Sequence, residues 1–152
     1  MLRTEPILRI TTIAVPNSKK IESRRPKFVH KDVAELLNEI KTGKAEMKVD
    51  KGNRIFSQGD KADAIYFVET GRVKISVVST RGKEAVLVIL AAHDFFGEGC
   101  LTGQSLRLAT AATMTESVIT RIDKAAMVRV LHDEPKFTER FLAYLLEQWL
   151  KS

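Results

Sequence analysis

Apolar positions along this chain keep a helical period near both ends of the patterned region and an alternating one between. Val33, Leu36, Leu37 and Ile40 fall at i, i+3, i+4 and i+7, with Asp32, Glu35, Glu39 and Lys41 among them. That spacing predicts a short amphipathic helix closed by Gly43. The period then changes to two. Residues 45–49 and 54–57 read as short strands around a turn at Asp50-Lys51-Gly52-Asn53. A loop opening at Gly59-Asp60 runs to Asp63, and residues 64–69 are apolar almost throughout, which predicts a strand buried on both faces. Thr70-Gly71 turns the chain into 72–78, where Val73, Ile75 and Val77 alternate with Arg72, Lys74 and Ser76. Thr80-Arg81-Gly82 makes the next hairpin, into 84–90, and further strands are expected at 106–112 and 117–122.

Short strands at this spacing, punctuated by glycine turns, predict a mainly antiparallel β sandwich or jelly-roll barrel. Residues 124–131 return to a helical period with Met127, Val130 and Leu131. Pro135 suits the first turn of a second helix, preceded by Asp133 and Glu134. Phe137, Phe141, Leu142, Leu145, Leu146, Trp149 and Leu150 then form a stripe too broad for one contact. Part of it must lie on the barrel. The surplus fits either the same domain or, slightly favoured, the matching helix of a second copy.

Composition narrows the class. A chain of 152 residues, 44% apolar and 29% charged, is one ordinary globular domain with extensions. One cysteine, Cys100, excludes an internal disulfide framework and a cysteine-only metal site. No run is long enough to span a membrane as a helix, and Arg9 interrupts the apolar N-terminus, so the default expectation is a cytoplasmic protein. The net charge of +6 lies wholly within residues 1–31, where eight basic side chains face Glu5 and Glu22. Pro16, Asn17, Ser18 and Pro26 mark this basic arm as irregular. It reads as a solvated tail or, more sharply, as an arm that meets nucleic-acid phosphates without reading sequence.

The chemistry concentrates at residues 95–109. Phe95-Phe96-Gly97-Glu98-Gly99 is followed by Arg107-Leu108-Ala109. Glycine allows backbone amides to approach an anion, a carboxylate accepts from a sugar hydroxyl, and a guanidinium pairs with phosphate. The plain alternative is that Glu98 and Arg107 pair with each other and bind nothing. His30, His93 and His132 are dispersed and form no His-x-His pair, so a barrel metal site is not expected and no catalytic residue is assigned. His93 reads as a loop histidine rather than a haem ligand, and Cys100 as a small core residue rather than a redox sensor.

The order helix, β-roll, Gly-Glu turn, arginine strand, short helix, long helix resembles the cyclic-nucleotide-binding domain of the Crp/Fnr family of bacterial transcription regulators. The resemblance spans about residues 30–152 and rests on three groups: Gly52–Phe56 with Gly59-Asp60, the hairpin Ile65–Val73, and Phe96-Gly97-Glu98 with Arg107. It implies a jelly-roll, or double-stranded β-helix, barrel between a short N-terminal helix and C-terminal helices. It divides the chain into a basic arm (1–31), a ligand-binding roll (32–131) and the start of a long dimerisation-type helix (132–152). The ligand implied is a cyclic mononucleotide such as cyclic AMP, with no further cofactor and no catalysis. The backbone of Gly97 and Glu98 would face the cyclic phosphate, Glu98 would accept from the ribose 2′-hydroxyl, Arg107 would neutralise the phosphate, and Gly99, Leu108 and Ala109 would complete the lining. Leu108 departs from the small or hydroxylic residue of cyclic-AMP binders, and the loop after Gly99 is slightly shorter. If that segment is extended, Leu108 turns away from Arg107. A homodimer through 135–152 is expected, with DNA contacted only by a helix-turn-helix domain beyond Ser152. The opposing reading is a ligand-free dimerisation scaffold.

Overall fold

The computed structural model describes residues 34, 35 and 37–151. The basic arm, Val33 and Leu36 lie outside the described residues. Leu37–Glu39 form a 3₁₀ turn, and Leu37 and Ile40 are buried as the period requires. Among the described residues eight strands follow: β1 (Lys44–Val49), β2 (Arg54–Phe56), β3 (Ala64–Thr70), β4 (Val73–Val78), β5 (Glu84–Leu90), β6 (Phe95–Phe96), β7 (Thr110–Thr113) and β8 (Ser117–Asp123). Two helices close the chain, α1 (Lys124–Asp133) and α2 (Pro135–Lys151). Among the described residues no helix is long and apolar enough to cross a membrane.

The strands form two antiparallel four-stranded sheets, ordered β1-β8-β3-β6 and β2-β7-β4-β5. This is the jelly-roll architecture the strand spacing predicts. β3 explains its own composition. Ala64, Tyr66 and Val68 point between the sheets toward Phe56, Val73, Phe96 and Ile119. Ile65 and Phe67 point the other way, into a second core with Ile122, Met127, Phe137 and Phe141 from β8 and the helices. A strand lined on both faces has no polar period to show.

β6 splits in the same manner, Phe95 joining the helix-side core and Phe96 the inter-sheet core. Two residues are too few for a period, so this strand was not predicted. β5 is the edge of its sheet, and Glu84–Ile89 are exposed. The strand expected over 106–112 is shorter. Only Thr110–Thr113 form it, and Leu106 makes a single bridge to Lys61. The preceding backbone bonds instead to the loop after β2: Arg107 N–H donates to Asp60 O at 2.7 Å and Gly59 N–H to Arg107 O at 2.8 Å. Those irregular bonds take the backbone groups that a regular ladder would use.

α2 divides its stripe as the breadth implied. Phe137, Phe141 and Tyr144 are buried against the body, while Leu142, Leu146, Trp149 and Leu150 are exposed, Trp149 at 73%. The Thr138 hydroxyl donates to Leu131 O and to Glu134 O, which fixes the corner between α1 and α2.

Candidate functional site

Gly97 stands between β6 and a 3₁₀ turn at Glu98–Thr102, with φ 79°. A side chain there is disfavoured twice, by the left-handed backbone and by a Cβ only 2.9 Å from Arg107 Nη1. The chain turns again at Gly103 and returns as the segment that carries Arg107. Both segments therefore face one cavity of about 410 Å³. Its apolar wall includes Phe56, Ile75, Val88, Leu90 and Phe96, and its polar groups include Glu98, Gln104 and Arg107. Tyr144 and Gln148 of α2 complete it.

Arg107 is only 5% exposed. Nη1 donates to Gly97 O at 2.9 Å and Nη2 to Ala64 O at 2.6 Å. The guanidinium lies 4.2 Å over the Phe56 ring, with Tyr66 at 5.6 Å. Nε is buried without an acceptor, and among the described residues no carboxylate pairs with this cation. The mutual Glu98–Arg107 pair is therefore not formed. An arginine buried with bonds to neutral carbonyls alone retains most of the cost of its desolvation. Glu98 shares the cavity. Burial raises its carboxyl above the ordinary carboxylate value, against the opposing pull of its own backbone amide and of Arg107.

All six residues predicted for the site, Gly97, Glu98, Gly99, Arg107, Leu108 and Ala109, line this cavity. Leu108 is 65% exposed and lines the cavity in a segment that is bent rather than extended, so the condition for its turning away from Arg107 is not met. Sequence reasoning missed Phe56, Gln104, Tyr144 and Gln148. Tyr144 was legible in principle, since it continues the spacing of Phe137 and Phe141 at i+7 and i+3. Phe56 comes from β2, Gln148 from α2 and Gln104 from the turn after Gly103, and none of them carries a signal that sets it apart locally.

Tyr144 ties the site to α2. Its hydroxyl accepts from Phe95 N–H at 2.7 Å, and its ring meets Phe95 edge-on at 5.4 Å. Burial, with Asp94 next, pushes its phenol far above the usual range, so it stays neutral. Cys100 is fully buried, with Sγ 3.5 Å from Ala64 O, and burial raises its thiol, which fits a core role. His93 has φ 74° in the turn before β6, its ring stacked on Phe67 at 5.9 Å, outside the cavity lining. Among the described residues no cluster of His, Cys, Asp and Glu could hold a metal ion.

The family profile described as a cyclic nucleotide-binding domain matches residues 46–134. A CRP-like cAMP-activated global transcriptional regulator from Mycobacterium tuberculosis is 30% identical over 95 residues, 62% of this chain and 42% of the regulator. A cAMP-dependent protein kinase regulatory subunit from Blastocladiella emersonii is 31% identical over 104 residues, 68% of this chain and 26% of that protein. The chain thus spans less than half the length of either. Among solved structures, the sensor domain of the transcriptional regulator DNR from Pseudomonas aeruginosa superposes with a TM-score of 0.65 at 25% identity, covering 78% of this chain and 87% of that one.

Proposed function

This chain belongs to the cyclic nucleotide-binding domain family, and from that premise we propose that it is a non-catalytic sensor of a cyclic mononucleotide such as cyclic AMP. One observation carries the reading: a 95%-buried arginine that lines a cavity, has an Nε–H without an acceptor, and meets no carboxylate among the described residues. A bound phosphodiester would supply the missing counter-charge, and the apolar wall would receive the base. Glu98 would accept from the ribose 2′-hydroxyl, with Gly97, Gly99, Leu108 and Ala109 lining the sugar-phosphate end.

The remaining parts follow from the same reading. A second copy would cover the exposed Leu142, Leu146, Trp149 and Leu150 of α2, making a homodimer through residues 135–152. Effector binding would bias the arrangement of the paired helices and act on transcription through a helix-turn-helix domain outside this chain. The roll would occupy 32–131, and the setting would be the cytoplasm. The likeness to a cAMP-activated regulator supports cyclic AMP as the first effector to try.

The test is a thermal-melt titration with cyclic AMP and cyclic GMP, run beside Arg107→Ala and Arg107→Lys. A ligand at 100 times its Kd stabilises by about 2.7 kcal/mol. Losing a buried charge partner should cost roughly 2–5 kcal/mol of binding, or about one and a half to three and a half decades of affinity. Lysine keeps the charge without the planar fork, so it should rescue only part of that loss. If neither nucleotide moves the wild-type melt, the competing reading of a ligand-free dimerisation module gains. That reading draws on the bonds Arg107 already makes to its own backbone.

A further inference from the structure

The cavity holds a side chain that neither the motif nor the family's pattern assigns. Gly103 ends the 3₁₀ turn with φ 91°, and the next residue, Gln104, is carried back over Gly99. A Cβ on Gly99 would lie 2.4 Å from Gln104 Oε1 and 3.1 Å from its Cδ. The Gly99 backbone is not left-handed, so its dihedrals do not demand glycine. A side chain there would instead push aside this carboxamide, the far end of a flexible side chain. The half-buried carboxamide lines the cavity together with Glu98.

Among the described residues no hydrogen bond engages the Gln104 side chain. A long side chain ordered over a glycine, with two N–H donors and a carbonyl acceptor unused, loses rotamer freedom without an internal bond to offset it. A ligand held by Glu98 and Arg107 would bring its sugar-phosphate end to the same wall. We infer that Gln104 is a further ligand-contacting residue, donating through Nε2 to the phosphodiester or ribose oxygens beside Gly99. The inference rests on the cyclic-nucleotide reading above and adds a specificity element to it. Being neutral, Gln104 strengthens the grip on a singly charged diester without adding a second cation to the site.

The experiment measures Kd for cyclic AMP and cyclic GMP, by calorimetry, with wild type, Gln104→Ala, Gln104→Glu and Arg107→Ala, each variant first melted without ligand. Gln104→Ala should raise Kd about tenfold for the loss of one charge-assisted hydrogen bond, and Gln104→Glu about a hundredfold, since it keeps the shape but sets a charge against the phosphate. Melts of both Gln104 variants should stay near wild type. A packing role predicts the reverse order, with glutamate nearly as good as glutamine and alanine worst, and that order would overturn the inference. So would equal or tighter binding by Gln104→Ala, which would make the carboxamide an obstruction. If Arg107→Ala abolishes binding while both Gln104 variants bind normally, the sensor reading stands and this inference alone fails. A wild type that binds neither nucleotide removes both.

Discussion

Tyr144→Phe deletes one oxygen from the joint between the cassette and α2. In the wild type that oxygen accepts from Phe95 N–H at 2.7 Å, at a residue only 2% exposed. The ring stays: its edge contact with Phe95 at 5.4 Å and its stacking on Phe141 at 6.4 Å need no hydroxyl. No sizeable cavity opens, so the cost is that of leaving a buried amide without an acceptor, about 1–3 kcal/mol. For a chain of this size that corresponds to a fall in Tm of roughly 2–12 °C. The assay is a melt followed by circular dichroism at fixed protein concentration, repeated across pH. Burial holds the folded phenol above its ordinary value of 10.0, so below that pH it is neutral in both states and the gap should be constant. Above pH 10.0 the unfolded phenol ionises while the folded one does not, and the wild type should lose part of its lead. A variant melting within about 1 °C of wild type at neutral pH, where at least roughly 2 °C is expected, would refute the claim that this bond joins the two elements.

Glu98→Gln should stabilise the unliganded protein at neutral pH, because burial raises the folded carboxyl above 4.5 and its ionisation opposes folding. The stability held while the group is protonated is lost as pH rises through the folded value, so the advantage of glutamine should vanish below about pH 4; melts across pH measure it, and a gain that persists in acid would contradict the cause. The same variant should bind cyclic nucleotide more weakly. Leu146→Glu combined with Trp149→Glu places charges on the exposed stripe of α2, where Leu146 is 63% and Trp149 73% exposed. Sedimentation should show a dimer becoming a monomer with the melt little changed, and an unaltered oligomeric state would move the seam elsewhere.

Legibility in the sequence followed the range of the contacts. The strands at 72–78 and 84–90 could be placed from local signals alone, the first from its alternation and both from the turns at Gly71 and Gly82. Gly97, Glu98 and Arg107 were legible because the two arms of the site are adjacent segments joined by one short turn. Their partners were not. Arg107 Nη2 reaches the carbonyl of Ala64, 43 residues earlier, and Tyr144 meets Phe95 across 49. Phe56 enters from β2 to lie beneath the guanidinium, and nothing in Arg54–Phe56 distinguishes that ring from any other core aromatic. The segment before β7 failed for a different reason. Leu106–Ala109 has strand-like composition, yet its backbone groups are drawn to the Gly59–Ala62 loop, a tertiary preference that overrides local propensity.

The geometry of α2 sets a limit on how a sensor of this kind could work. One face of the helix reaches the cavity through Tyr144 and Gln148, and the opposite face presents the exposed stripe. A ligand would move the helix only if it bound the two helix arrangements with different affinity, because a population shifts only by that difference. Driving a helix pair from 1:99 to 99:1 takes about 5.5 kcal/mol of such difference. The hydroxyl of Tyr144 contributes at most about 3 kcal/mol of this, so it cannot throw the switch alone. The balance must come from contacts that move with it. The Phe95, Phe141 and Tyr144 rings supply them, as edge contacts at 5.0 Å and 5.4 Å that would break together if β6 shifted against α2. Each aromatic pair adds about 0.5–1.5 kcal/mol beyond its buried area, so two pairs and one hydrogen bond reach the required range only when all three change in the same step. In such a sensor the coupling would then be all-or-none across this cluster, and loosening any one member should weaken the response to ligand more than it weakens ligand binding.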